Sequence, residues 1–332
     1  MQTEEQIAQF REVYARVRSE VGRVMVGQDA VVDGTLTAIL GGGHVLLEGV
    51  PGLGKTLLVR TLSEVLDLSF SRIQFTPDLM PADILGTNLV METPDGRRQF
   101  EFQKGPVFAS LVLADEINRA TPKTQSAMLE AMQERQVTAG GAVRPLPKPF
   151  FVLATQNPID QEGTYPLPEA QLDRFFFKLI VGYPTRDELT EVLNRTTEGG
   201  QTPPSKVLDG PGLISLQQLV RGVPIATHVK DYAVRLVLAT HPKTSTAAPI
   251  TNQYLRFGSS PRGAQVLILA GKVRALTEGR FNVSFDDIAA VAPATLRHRL
   301  LPNFEAEAEG VTTDLILQQI LADVPRDATV TA

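Results

Sequence analysis

The 332-residue sequence contains no cysteine. That excludes disulfides and thiolate nucleophiles, argues against thiolate-based zinc sites, and fits a cytoplasmic protein. No apolar run approaches the roughly 18 residues a membrane helix needs, so no span is expected. The start, Met1-Gln2-Thr3-Glu4-Glu5, lacks the basic opening and apolar centre of a secretory signal. Positive charge is in the minority, with 32 Lys and Arg against 37 Asp and Glu. This balance disfavours non-specific nucleic-acid binding over the whole surface, while leaving room for a local basic pore. Internal repeats and low-complexity tracts are absent too.

The remaining composition is ordinary for a globular protein, 43% hydrophobic and 21% charged. The length makes two domains the default. One stretch organises the chain: Gly49-Val50-Pro51-Gly52-Leu53-Gly54-Lys55-Thr56 fits the phosphate-loop pattern G-x-x-x-x-G-K-[ST] in full. The pattern counts where a strand enters and a helix leaves. His44-Val45-Leu46-Leu47-Glu48 supplies an apolar run before it, and Leu57, Leu58, Thr61, Leu62, Val65 and Leu66 recur at helical spacing after it. The glycines allow consecutive N–H groups to turn inward around phosphate oxygens, and the helix start adds its partial positive charge. Lys55 is expected at the β- and γ-phosphates and the Thr56 hydroxyl on Mg²⁺.

In chain order, an amphipathic helix is expected over 3–23, with Ile7, Phe10, Val13, Tyr14 and Val17 on one face, and a second over 29–40. Gly41-Gly42-Gly43 reads as a tight turn into the first strand. Four more apolar runs lie at 70–75, 111–114, 151–154 and 175–180, several of them separated by helical patterns. The spacing predicts a parallel five-stranded α/β sheet with helices on both faces and chemistry at the carboxyl ends of its strands. Two hairpins interrupt it, at about 88–104 around Pro94-Asp95-Gly96 and at about 136–147 around Gly140-Gly141. Between them Thr121 can cap a helix that has Pro122 in its first turn and Ala127, Met128, Ala131 and Met132 on its apolar face. A helix over 187–195, a linker over about 198–212 and helical patterns near 213–220, 227–240, 261–277 and 285–299 predict a smaller all-helical second domain, with a frayed tail after Pro325. The expected division is 1–186 and 187–325.

Two strand ends carry polar groups, and two arginines lie elsewhere, one just before the last strand and one at the opening of a helix. Leu111-Val112-Leu113-Ala114-Asp115-Glu116 ends in two carboxylates. Asp115 is placed to hold Mg²⁺ through its water shell, and Glu116 to orient and deprotonate an attacking water. Asn157, at the end of Ala154-Thr155-Gln156-Asn157-Pro158, could bond that water or the γ-phosphate. By itself, though, Asn157-Pro158 reads better as a loop-opening turn. Arg174, in Leu172-Asp173-Arg174-Phe175, and Arg262, in Ser260-Pro261-Arg262-Gly263, could neutralise phosphate charge. Alone, each reads better as a surface ion pair.

Together these strings resemble AAA+ ATPases, specifically the MoxR family, from about Arg11 to Leu301. The likeness rests on the phosphate loop, Gln74-Phe75-Thr76-Pro77-Asp78-Leu79-Met80-Pro81-Ala82-Asp83, the segments 114–120 and 154–158, and Pro168-Glu169-Ala170-Gln171-Leu172-Asp173-Arg174-Phe175. The resemblance implies roles that spacing does not supply. Asn157 matches the first sensor, Arg174 an arginine finger acting on a neighbour's nucleotide, and Arg262 the second sensor, in cis or in trans. Val26-Gly27-Gln28 falls where the family contacts adenine. The nucleotide-binding set is then Gly49, Val50, Pro51, Gly52, Leu53, Gly54, Lys55, Thr56 and Leu57 with Gly27 and Gln28. The hairpins match the helix-2 insert and the presensor-1 hairpin. Gln74 matches a polar residue that restrains Glu116, and Asn118 and Arg119 match contacts to a neighbouring subunit. The family implies ATP and Mg²⁺ as cofactors, a homo-oligomeric ring (a hexamer) and protein clients. Those clients include von Willebrand factor A domain proteins and metalloenzymes awaiting cofactor insertion. A DNA-directed motor with the same hairpins and a slow nucleotide-gated binding switch are the alternatives. The acidic balance speaks against nucleic acid, and intact Glu116 and Arg174 against a dead enzyme.

Overall fold

The structure is a computed structural model that describes residues 2–92, 98–157, 163–197 and 203–326, omitting the side chains of Gln2 and Thr3. Helices α1 (Gln2–Val24) and α2 (Asp29–Gly41) lead into strand β1 (Val45–Glu48). Helix α3 (Lys55–Val65) follows, then β2 (Phe70–Gln74), α4 (Pro81–Leu85), β3 (Gly86–Glu92), β4 (Arg98–Lys104) and β5 (Leu111–Asp115). Helix α5 (Pro122–Glu134), β6 (Gln136–Ala139), β7 (Ala142–Pro145), β8 (Phe151–Gln156), α6 (Glu169–Leu172) and β9 (Phe177–Ile180) complete the first part. The second part holds α7 (Arg186–Thr197), α8 (Gly210–Gly222), α9 (Thr227–Ala239), α10 (Pro249–Tyr254), β10 (Leu255–Phe257), α11 (Pro261–Thr277), α12 (Phe285–Leu296), β11 (Leu301–Pro302), α13 (Phe304–Glu309) and α14 (Thr313–Asp323).

The five apolar runs form one parallel sheet in the order β2-β5-β8-β1-β9. Successive side chains of a strand point to opposite faces, so a strand covered on both faces must be apolar throughout. In β5, Leu111 and Leu113 join one apolar cluster with Leu36, Ile39, Leu58 and Leu62, beneath α2 and α3. Val112 and Ala114 join the other, with Met128 and Met132 of α5. The first cluster continues into the second part through Leu213, Tyr232, Leu267 and Ile288. That continuity binds the helical part to the sheet.

Order β5-β8-β1 sets the site. Gln74 pairs in register with Asp115, and Glu48 with Gln156. The residues that follow three adjacent strands therefore emerge along one edge, where a parallel sheet presents its ligand crevice. Both hairpins are present, β3 with β4 and β6 with β7. Gly140 and Gly141 take positive φ, 61° and 77°, as a two-residue hairpin turn requires. The Pro94-Asp95-Gly96 turn lies outside the described residues. The hairpins lean on each other: Asn88 Nδ2 donates to the Gly140 carbonyl at 3.3 Å, and the Arg144 guanidinium sits 3.6 Å from the Phe102 ring centroid.

Several expectations need correction. Thr121 precedes α5, but its hydroxyl faces that of Thr124 at 3.4 Å and caps no backbone N–H. Phe175 and Phe176 precede β9 instead of belonging to it. The linker is shorter than expected, because residues 210–212 open α8, where Asp209 accepts from the Gly212 N–H at 2.8 Å; residues 198–202 lie outside the described set. The pattern over 285–299 stops being helical at Leu296. The second part is helical as expected, with a short antiparallel ribbon, β10 with β11, set into it. The tail after 326 is outside the described residues.

Candidate functional site

The loop after β1 is shaped by its glycines. Gly52 and Gly54 have φ of 84° and 79°, a region costly for other residues. At Gly49 packing decides: a Cβ there would lie 2.6 Å from the Val181 carbonyl oxygen. Gly54 precedes α3 with no side chain capping the helix, so its first N–H groups are left for an anion. Lys55 Nζ donates to the Gly49 carbonyl and, at 3.3 Å, to that of Val50. Burial lowers the Lys55 pKa from its ordinary value, opposed by Asp115, Glu116 and Glu48.

The carboxylates face this loop. A cavity of about 400 Å³ is lined by Lys55, Thr56, Arg72, Asp115, Glu116 and Asn157, among others. Asp115 is buried at the end of β5; its Oδ1 accepts from the Thr155 hydroxyl at 2.6 Å, and its Oδ2 from Arg72 Nε at 3.0 Å and Nη2 at 2.7 Å. Glu116 takes φ of 56°, an uncommon conformation for a non-glycine residue, and its N–H donates to the Thr155 hydroxyl at 2.8 Å. Its Oε2 accepts from Gln74 Nε2 at 3.0 Å and from Arg119 Nη1 at 3.1 Å. Arg72 Nη2 also donates to Gln74 Oε1 at 2.7 Å. The two carboxylates are thus joined through Arg72 and Gln74.

The residues fit a magnesium nucleotide. Among the described residues no group of three or more His, Asp or Glu side chains could hold a metal alone. One carboxylate and the Thr56 hydroxyl suit a hard ion that keeps waters and takes substrate phosphate oxygens. Beside the phosphate cavity, sharing Gly52, Gly54 and Leu57 with it, lies a second cavity of about 250 Å³ lined by Val26, Gln28, Leu53, Leu189 and Val192. Its lining is mostly apolar, as a nucleobase requires. Gly27 and Gln28 both have positive φ, 65° and 60°, and Gln28 Nε2 donates to the Gly182 carbonyl at 2.7 Å, so this turn forms one wall.

Arg174 and Arg262 line neither cavity. Arg174 Nη1 donates to the Leu129 carbonyl at 2.9 Å, while its buried Nε has no partner among the described residues. Arg262 stands 3.7 Å from Asp173 and borders a separate cavity of about 530 Å³, with Arg256 and Ser260, between α6 and the helical part. Asn118 is buried with its Oδ1 unpartnered among the described residues, and Arg119 is turned onto Glu116. Sequence reasoning missed Arg72 and Thr155. Arg72 and Gln74 share a face of β2 two residues apart, so a signal existed; Thr155 looked like the tail of an apolar run.

Comparison with known proteins bears on the fold and on the kind of activity. Residues 44–177 match the profile of the ATPase family associated with various cellular activities (AAA), and 247–320 that of an AAA lid domain. Chaperone MoxR1 of Mycobacterium tuberculosis is 46% identical over 92% of this chain and 80% of its own length. Protein MoxR of Methylorubrum extorquens is 31% identical over 93% of this chain and 94% of its own. A crystal structure of a Cytophaga hutchinsonii protein, 43% identical, superposes with a TM-score of 0.90 over 97% of each chain.

Proposed function

The chain belongs to the MoxR family of AAA ATPases, and from that premise we propose that it hydrolyses Mg²⁺-ATP in a homo-oligomeric ring, a hexamer, to remodel or mature protein partners. The chaperone name carried by the Mycobacterium tuberculosis relative supports a protein client. A von Willebrand factor A domain protein or a metalloenzyme awaiting its cofactor is the client class we assign. Residues 1–186 act as the nucleotide-binding core and 187–325 as its lid. The observation that carries this reading is one cavity uniting Lys55, Thr56, Asp115, Glu116 and Asn157.

The N–H groups of the 49–56 loop and Lys55 bind the phosphates, and the cavity beside Gly27 and Gln28 takes the base. Thr56, and Asp115 through water, would hold Mg²⁺, which supplies charge neutralisation at the phosphate oxygens. Glu116 takes the proton of the attacking water, and Asn157 orients that water. Arg174 is displaced from its own chain's loop, which supports action on the nucleotide of the next subunit. Glu116, held by Gln74 and Arg119, supports a slow basal rate that a partner raises. A DNA-directed motor is weakened because Arg144, one of the few cations near the second hairpin, is spent on Phe102.

Glu116→Gln is expected to keep ATP affinity and to lower turnover by about 10²–10⁴, the usual worth of a general base. Equal turnover in variant and parent would remove Glu116 from that role. The same variant in ATP should retain the client in a pull-down. Arg174→Ala mixed with Lys55→Ala should exceed both parents in ATPase activity, since a hybrid interface joins an intact loop to an intact arginine. If no mixing ratio does so, the trans assignment of Arg174 fails.

A further inference from the structure

Among the described residues, Arg299 is the most deeply buried cation that the proposed chemistry leaves unused. It lies just past α12 with its side chain 1% exposed. A buried guanidinium is retained only when its N–H groups are satisfied, and these are. Nε donates to Asp173 Oδ1 at 2.9 Å; Nη2 donates to the carbonyls of Asp173 at 3.1 Å and Phe175 at 2.7 Å. Nη1 reaches the Thr295 carbonyl and, at 3.4 Å, that of Phe176. Burial draws its pKa down to about 10, opposed by Asp173, so it stays charged near neutrality. Asp173 also accepts from the Ser260 hydroxyl at 2.8 Å, at the start of α11. Arg299, just past α12, thus holds residues on both sides of Arg174, and Ser260, capping α11, holds Asp173.

We infer that Arg299, assisted by Ser260, is a positioning residue for Arg174, fixing the 173–176 backbone to the lid so that lid movement sets where the Arg174 guanidinium is presented. Among the described residues Arg174 itself has the Leu129 carbonyl as its hydrogen-bond partner and an unpartnered Nε, so its own contacts define it poorly. The fork from Arg299 supplies what they do not. This rests on the reading that Arg174 acts on a neighbour's nucleotide.

The test uses the full chain. Arg299→Lys keeps the charge and loses the fork. It should lower kcat by about 10- to 100-fold with KM for ATP unchanged, as an ångström-scale misplacement would. The Arg174→Ala, Arg299→Lys double variant should be no slower than Arg174→Ala alone. Mixing Arg299→Lys with Lys55→Ala should restore activity above both parents, because the Arg299→Lys subunit keeps a sound loop and borrows a sound arginine. A merely structural Arg299 would damage its own loop as well, and the mixture would stay inactive. Ser260→Ala, a milder change, should show a smaller kcat loss rescued in the same mixture. The inference is overturned if the Arg174→Ala mixture is rescued but the Arg299→Lys mixture is not, or if Arg299→Lys turns over at the parental rate. If Arg299→Lys fails to fold, a fully active Ser260→Ala overturns it. If the Arg174→Ala mixture is itself not rescued, the trans reading falls and takes this inference with it.

Discussion

At the scale of single residues, the candidate site is a chain of hydrogen bonds between two carboxylates for which different tasks are proposed. Asp115 is engaged by Arg72 and Thr155, Glu116 by Gln74 and Arg119, and Arg72 also touches Gln74. A base whose oxygen is held by two hydrogen bonds must break one of them before that oxygen can turn to an attacking water. Gln74→Ala should therefore raise basal ATPase, by up to about tenfold for one charge-assisted bond of ~1.4 kcal/mol. Steady-state turnover without any partner measures it, and a lower rate would make Gln74 a catalytic aid instead of a restraint. Gln74 was legible through resemblance, whereas Arg72 was not, because a strand pattern gives the face of a side chain but not the partner it meets across the sheet.

Among the elements, β1 depends on a histidine that no motif marks. His44 is buried; Nδ1 accepts from the Val152 N–H at 2.9 Å, so Nε2 carries the proton it donates to the Met132 carbonyl at 3.1 Å. One ring joins the start of β1, β8 and α5. Burial pushes its pKa down to about 4 from 6.5, outweighing the bond to Met132. With the folded value below the unfolded one, this neutral histidine's contribution is intact above pH 6.5 and is lost as pH falls towards about 4. The loss is on the order of 3 kcal/mol at 1.36 kcal/mol per pH unit. His44→Gln cannot titrate, so its melting temperature should fall less than the parent's between those pH values; parallel curves would refute the assignment. The strands themselves were legible, because a sheet covered on both faces demands unbroken apolar runs. Leu301-Pro302 and Leu255-Arg256-Phe257 were not, since two or three residues carry no periodicity to read.

For the whole molecule, the separation of Arg174 from the phosphate cavity matters most. An arginine finger is worth on the order of 10³–10⁵ in rate. If it comes from a neighbour, turnover per chain must rise steeply with protein concentration as subunits assemble. Activity measured across a dilution series, beside sedimentation on the same samples, should show the two rising together. Constant turnover per chain down to the monomer would leave the single chain as the catalytic unit.

The phosphate loop, the Asp115-Glu116 pair and the five-strand pattern were determined by sequence alone, because each is set by local chemistry: glycine backbone freedom, carboxylates ending an apolar run, and burial on both faces. Tertiary structure decided which strand ends meet, since the order β5-β8-β1 brings Asp115, Glu116 and Asn157 to the loop. It decided too that Arg174 and Arg262 do not join them, and that Arg299, 125 residues after Arg174, lies against its flanks. Contacts between distant segments depend on packing geometry, which the order of residues along the chain does not spell out.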